Sequence, residues 1–138
     1  MSKSMVLKIY IIFTNNVNKL IEAFMRKISI TQTVHENTVT MSAHDQNQNL
    51  ISIHAACIDN DLVGAALLAL IRVMRDISAG NNIKLINFDS SMLNMLMYDY
   101  RRWRRSKWSL PDADVKHMKL WEMWHIVKKY NKIYPLYV

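Results

Sequence analysis

The stretch from Leu50 to Phe88 most constrains what this chain can become. Its middle, Leu62–Ile77, is apolar on nearly every side, with Leu67, Leu68, Leu70, Ile71, Val73 and Met74 leaving little polar face. A helix of that kind has to lie against a broad apolar surface. Asp61 is a suitable N-cap for it, and Ser78-Ala79-Gly80-Asn81-Asn82 ends it. On either side are short runs dense in β-branched residues, Leu50–Cys57 and Ile83–Phe88, which read as strands. Strand, helix and strand in succession form a βαβ unit with a right-handed crossover. The fold class follows: α/β, with a mixed central sheet flanked by helices.

The rest of the chain adds to this unit. Val6–Phe13 is rich in β-branched and aromatic residues and predicts a strand. Leu20, Ile21, Phe24 and Met25 recur at helical spacings within Val17–Ile28 and predict a short amphipathic helix. Lys27–Thr33, Thr38–Ala43 and Leu50–Cys57 are three candidate strands separated by polar turns, His35-Glu36-Asn37 and His44-Asp45-Gln46-Asn47-Gln48. Which two make the main hairpin stays open. After Phe88 come a helix over Ser91–Arg101, a second over Val115–Tyr130 entered at Pro111-Asp112, and a last strand over Lys132–Val138. Met92, Met95, Met97, Met118 and Met123 read as core filling.

At 138 residues and 51% hydrophobic, the chain matches one domain over residues 1–138. Cys57 is its sole cysteine, so no intramolecular disulfide can form and a reducing, intracellular compartment is expected. No apolar run reaches the ~20 residues that span a bilayer, so no membrane association is expected. Met5–Phe13 contains Lys8 and leads into Thr14-Asn15-Asn16 without a small-residue cleavage pattern, unlike a signal peptide. The net charge of +7 favours a polyanionic partner. That charge is clustered: Arg101-Arg102-Trp103-Arg104-Arg105-Ser106-Lys107-Trp108 holds five cations and no acid. Such a basic aromatic ledge points to nucleic acid, because cations neutralise phosphates and indoles stack on bases. The plainer reading is that Trp103 and Trp108 pack the helix base while the arginines stay solvated.

Taken together, Ile11-Ile12-Phe13-Thr14-Asn15, Ala65-Ala66-Leu67-Leu68-Ala69-Leu70 and Phe88-Asp89-Ser90 resemble the ribonuclease H fold, in its HI-type family. There the first strand ends in a Thr-Asp-Gly-like motif, the first helix carries Glu-Leu-x-Ala-Ala-x-x-Ala-Leu, and the fourth strand ends in Thr-Asp-Ser. Trp103 and Trp108 flank Arg104-Arg105-Ser106-Lys107 as two tryptophans flank basic residues in the family's substrate-gripping protrusion. Leu120-Trp121 falls where many members carry Leu-Trp, and Tyr134–Val138 falls on the fifth strand.

The resemblance implies four carboxylates holding two Mg²⁺ ions, which stabilise the attacking and leaving oxygens of a phosphoryl displacement. Carried over position by position, the first-strand Asp falls on Asn15 and the helix Glu on Leu62, with Asp61 one residue before it. The fourth-strand Asp is kept as Asp89, and the last carboxylate, on a helix after the fifth strand, has no counterpart before Val138. The chain thus resembles a degenerate, C-terminally shortened member. At ~4 Å an ion pair is worth ~4 kcal/mol even at an effective dielectric of 20, so the missing anions should abolish a two-metal centre. Asp89 could hold a hydrated Mg²⁺ weakly, or simply cap the next helix; Asp112 and Asp114 should lie beside the ledge, away from the strand ends.

Other chemistry has less support. His35, His44, His54, His117 and His125 lack zinc spacing. His117 and His125 read as surface or interface residues, and His54 with Cys57 is too isolated to be a nucleophilic pair. No phosphate-binding glycine loop occurs. The expectation is therefore a catalytically inactive ribonuclease H-like protein without cofactor that binds RNA, RNA/DNA hybrid or duplex through Arg101, Arg102, Trp103, Arg104, Arg105, Lys107 and Trp108. One alternative is an assembly subunit, docking on a protein partner or another copy through the tryptophan- and methionine-rich Met118–His125. A second is a residual Mg²⁺-dependent nuclease using Asp61 and Asp89.

Overall fold

The computed structural model describes residues 3–136, and for Lys3 and residues 18–24 the backbone only. The elements run α1 (Lys3–Phe24), β1 (Arg26–His35), β2 (Thr38–Asp45), β3 (Leu50–Cys57), α2 (Leu62–Asp76), β4 (Asn81–Ile86), α3 (Ser90–Asn94), α4 (Tyr100–Arg105), α5 (Met118–Lys128) and β5 (Lys132–Pro135). A π-helical turn, Met95–Asp99, joins α3 to α4, and a 3₁₀ turn, Val115–His117, leads into α5.

The five strands form one sheet in the order β3-β2-β1-β4-β5. β1, β2 and β3 are an antiparallel meander, while β4 and β5 run parallel to β1. The undecided hairpin thus resolves as two, with β2 in the middle. β3 and β4, the strands flanking α2, are parallel but separated by β2 and β1.

The sequence expectation fails at the N-terminus. Val6–Phe13 is helix and not strand: α1 runs unbroken through it and through Asn15. The reason is a missing stop signal. No glycine or proline occurs before Gly64, so nothing separates the β-branched run from the helical pattern behind it. The Thr14 hydroxyl donates to the Tyr10 carbonyl one turn back at 2.9 Å and stays compatible with the helix. Met5–Phe13 also lacks a buried face: its large apolar side chains are about half exposed or more. The apolar stripe predicted on Leu20, Ile21 and Phe24 falls outside the described side chains, and Lys27 and Ile28 belong to β1.

The core lies between one face of the sheet and the helical layer. Ile28, Ile30, Val39, Met41, Ala43, Ile83 and Leu85 alternate inward along β1, β2 and β4. Above them α2 is buried almost all round, because it packs on β2 and β3 and also against α5. Trp121 and Trp124 on α5 are fully buried. The π turn has a visible partner: the Leu96 carbonyl inside it accepts from Trp124 Nε1 at 3.0 Å, so the locally widened helix keeps its buried polar groups satisfied. Met92 is buried, and Met95, Met97 and Met123 pack on the core, whereas Met118 lies at its edge.

Candidate nucleic-acid interface

At the C-terminal ends of β1 and β4, where the resemblance puts catalytic carboxylates, the sheet opens into a cavity of about 60 Å³. Gln32, Leu62, Val63, Ala66, Asp89 and Met92 line it. Because Asn15 sits in α1, it is no remnant of a first-strand site; Gln32, on β1, takes that place. Gln32 follows Ile28 and Ile30 on the buried face and is only 7% exposed. Its backbone carbonyl accepts from Asn87 Nδ2 at 2.8 Å, which ties the end of β1 to the residue after β4. Its side-chain Oε1 is buried without a partner among the described residues. The signal was present in the sequence as a glutamine closing a period-two apolar alternation.

Asp89 is the one carboxylate in this cavity. Its Oδ1 accepts from the Met92 backbone N–H at 2.7 Å, capping α3. Leu62, where the resemblance puts the helix glutamate, lines the same cavity. Asp61 lines a different cavity, of about 680 Å³, beside Cys57, Arg72, Lys116 and His117. A hard Mg²⁺ pair needs several anionic oxygens, and one capping carboxylate with a neutral amide does not fit it. No group of three or more His, Cys, Asp or Glu that could hold a metal occurs among the described residues.

Asp61 is engaged elsewhere. It accepts from the Gly64 N–H at 3.0 Å as N-cap of α2, and from His117 Nε2 at 2.8 Å. The other ring nitrogen, His117 Nδ1, lies 2.7 Å from Asp114 Oδ2, which also accepts from Trp121 Nε1 at 2.9 Å. His117 was expected on the surface, yet its side chain is only 10% exposed, because two carboxylates hold it against the first turn of α2. Burial opposes its charge, but the hydrogen bonds and charges of Asp61 and Asp114 outweigh it and raise the imidazole above its ordinary 6.5. Asp61 is lowered by the same contact.

The ledge occupies α4 and the turn after it. Two of its arginines are neutralised: Arg102 forms a two-pronged pair with Asp112, one prong at 3.1 Å, with Asp99 3.6 Å away, and Arg104 Nε donates to Glu122 at 2.9 Å. The Arg102 guanidinium and the Trp103 indole hold the Asp112 carboxyl down at about 2. Both tryptophans donate to the same acids, Trp103 Nε1 to Asp112 and Trp108 Nε1 to Glu122, each at 3.2 Å. Trp103 is 3% exposed and meets Trp121 edge-on at 5.8 Å. It is a core residue and cannot offer its face to a base; Trp108 is half-buried. Arg101, Arg105 and Lys107 remain exposed, and among the described residues they make no ion pair.

One further expectation changes. Trp121 and Trp124 are in the core, so Met118–His125 exposes no tryptophan for docking; of its apolar residues, only Met118 is exposed. Cys57 donates to Asp59 at 3.2 Å, which raises its pKa, and His54 pairs with Asp76 at 2.5 Å. Neither activates the other.

No family model and no curated protein matches the sequence. Among solved structures, the chain is similar to the foamy viral protease-reverse transcriptase in complex with RNA/DNA hybrid, at 13% identity and a TM-score of 0.55. The likeness covers 84% of this chain and 18% of that one. A second structure of that protein, in complex with dsDNA, gives 10% identity and a TM-score of 0.49 over 84% and 83% of the two chains. At these identities the likeness is one of fold. The five-stranded mixed sheet with its helical layer is a ribonuclease H-like α/β fold.

Proposed function

We propose that this domain binds nucleic acid through the basic ledge and does not cleave it. The observation that supports this reading is the ledge's division of charge. Asp112 and Glu122 pair with Arg102 and Arg104, while Arg101, Arg105 and Lys107 are exposed and make no ion pair among the described residues. Arg102, Arg104 and Trp103 position the ledge; Arg101, Arg105 and Lys107 contact phosphates, with Trp108 at their edge. Cations fixed on a packed helix release counterions from a phosphate backbone without regard to base sequence. The single capping carboxylate in the β1–β4 cavity supports the non-catalytic part. RNA/DNA hybrid is the first substrate to test, since the similar foamy viral enzyme is described in complex with one.

The experiment measures anisotropy of labelled hybrid, duplex RNA and duplex DNA over a salt series. The variant is Arg101→Glu/Arg105→Glu/Lys107→Glu. Affinity should fall by an order of magnitude or more for all three duplexes. Unchanged affinity overturns the ledge reading. Metal-dependent cleavage of the hybrid that disappears in Asp89→Asn overturns the non-catalytic one.

A further inference from the structure

The sheet has a second face. Among the described residues, the helices that touch the core lie on the side of Ile28, Ile30, Ile83 and Leu85. The opposite side carries a groove of about 670 Å³ across β2, β1, β4 and β5. The strand registers build it row by row. His44 stands opposite Ser29, Ser29 beside Lys84, and Lys84 beside Tyr134, so these four side chains cross four strands in one line. In the next row Lys27 neighbours Asn82, which neighbours Lys132. On the other flank Thr31 stands opposite Ser42 and beside Ile86.

This face is unsuited to an apolar cover. Its centre is made of hydroxyls and lysine amines, which a packed apolar helix would leave without partners. Its charge is one-sided: Lys27, Lys84 and Lys132 share it with one acid, Asp45, at the rim. The Asp45 carboxylate is turned to its own hairpin, accepting from the Asn47 and Asn49 backbone N–H groups at 2.8 and 3.0 Å. An acceptor, Asn82 Oδ1, is buried in the groove wall without a partner among the described residues. Tyr134 is 43% exposed, with the Lys132 amine 5.4 Å from its ring centre.

We infer that this open face binds single-stranded nucleic acid. Phosphates lie along Lys27, Lys84 and His44. A base stacks on Tyr134, as bases stack on aromatic side chains of an exposed sheet. Asn82 lines the groove beside them. Stacking on Tyr134 needs an unpaired base, which a duplex does not offer, and the face lies across the sheet from the ledge. The two surfaces therefore bind independently.

The test compares labelled twelve-nucleotide oligo(U) and oligo(dT) with an RNA/DNA hybrid duplex, using the full chain. Lys27→Glu/Lys84→Glu should weaken single-strand binding at least tenfold and leave the duplex within twofold. Tyr134→Ala should weaken it about fivefold. The ledge triple variant should do the reverse, so a failed ledge leaves this inference standing, and the converse holds. If the charge-reversed variant does not fold, Lys27→Gln/Lys84→Gln is read through a shallower salt dependence. Single-strand affinity unchanged in the lysine variants overturns the inference. So does a Tyr134→Ala protein of wild-type affinity, or competition by inorganic polyphosphate as effective as by oligo(U), since either removes the base. A nucleic-acid-free dimer in sedimentation that shields Lys27 and Lys84 from acetylation overturns it too, by assigning the face to a second copy.

Discussion

His117 makes a demand on protonation that the stability of the fold should report. Both its ring nitrogens sit within 2.8 Å of a carboxylate oxygen. A neutral imidazole donates through one nitrogen only, so this geometry requires the imidazolium. Hydrogen bonds to charged groups contribute ~1.5–3 kcal/mol each. His117→Ala removes two, but Asp114 keeps Trp121 Nε1 and Asp61 keeps the Gly64 N–H and a Lys116 amine at 3.6 Å. The net cost near pH 5.5 is therefore about 2–4 kcal/mol. The folded-state pKa is raised, so the stabilisation is complete below the unfolded value near 6.5 and is lost as pH rises through the folded one. Urea denaturation of wild type and His117→Ala at pH 5.5 and pH 9 measures this directly. The difference between the two proteins should shrink to about 1 kcal/mol or less at the higher pH. A difference that is pH-independent, or larger at pH 9, would refute the doubly bonded imidazolium.

Gly64 tests the same junction from the helix side. A Cβ there would collide with Asp61 Oδ2 and come within 2.7 Å of His117 Nε2, so Gly64→Ala must push the pair apart. Its urea midpoint should fall like that of His117→Ala, and the double variant should fall far short of the sum, because both changes remove one interaction; full additivity would contradict this. At the β1–β4 cavity, Gln32→Asp with Leu62→Glu would place three carboxylates around the Asp89 end. Millimolar Mg²⁺ should then raise the melting temperature of the variant by several degrees through linkage and leave wild type unmoved. An equal response of both proteins would show that these positions do not converge on a metal.

Much of the fold was legible because its strongest signals are local. The all-round apolar helix at Leu62–Ile77 and the period-two alternation at Ile28, Ile30 and Gln32 each report their own burial. The failure at Val6–Phe13 has the same origin. β-propensity reflects fit to a half-buried pleated surface, and here that surface is missing, since these side chains are exposed on a helix. The error carried into the site: the resemblance placed the first-strand carboxylate position on Asn15 because Thr14-Asn15 follows an apolar run. The strand that reaches Asp89 begins at Arg26. At Asp89, where the sequence leaves weak Mg²⁺ binding and capping both open, the cap is formed, because an N-cap is decided within three residues.

The ledge shows the limit of local reading most clearly. Five cations stand together in sequence, but the closest pairings of two of them are to acids 10 and 18 residues downstream, Asp112 and Glu122, with Asp99 a longer contact of Arg102 at 3.6 Å. Only folding tells which arginines are committed. The difference is measurable, because the salt dependence of binding counts the phosphates that are neutralised. Five free cations would contribute a slope of roughly −4.5 in log affinity against log salt on a duplex, and three roughly −2.7, at about −0.9 per phosphate. The loss of slope in the Arg101→Glu/Arg105→Glu/Lys107→Glu variant should therefore approach the smaller magnitude. Arg102→Gln/Arg104→Gln should instead act through the ledge's foundation, loosening Trp103 and Trp108 and lowering stability at every salt concentration. A slope that fell equally in both variants would mean that Asp112 and Glu122 release their arginines when nucleic acid binds.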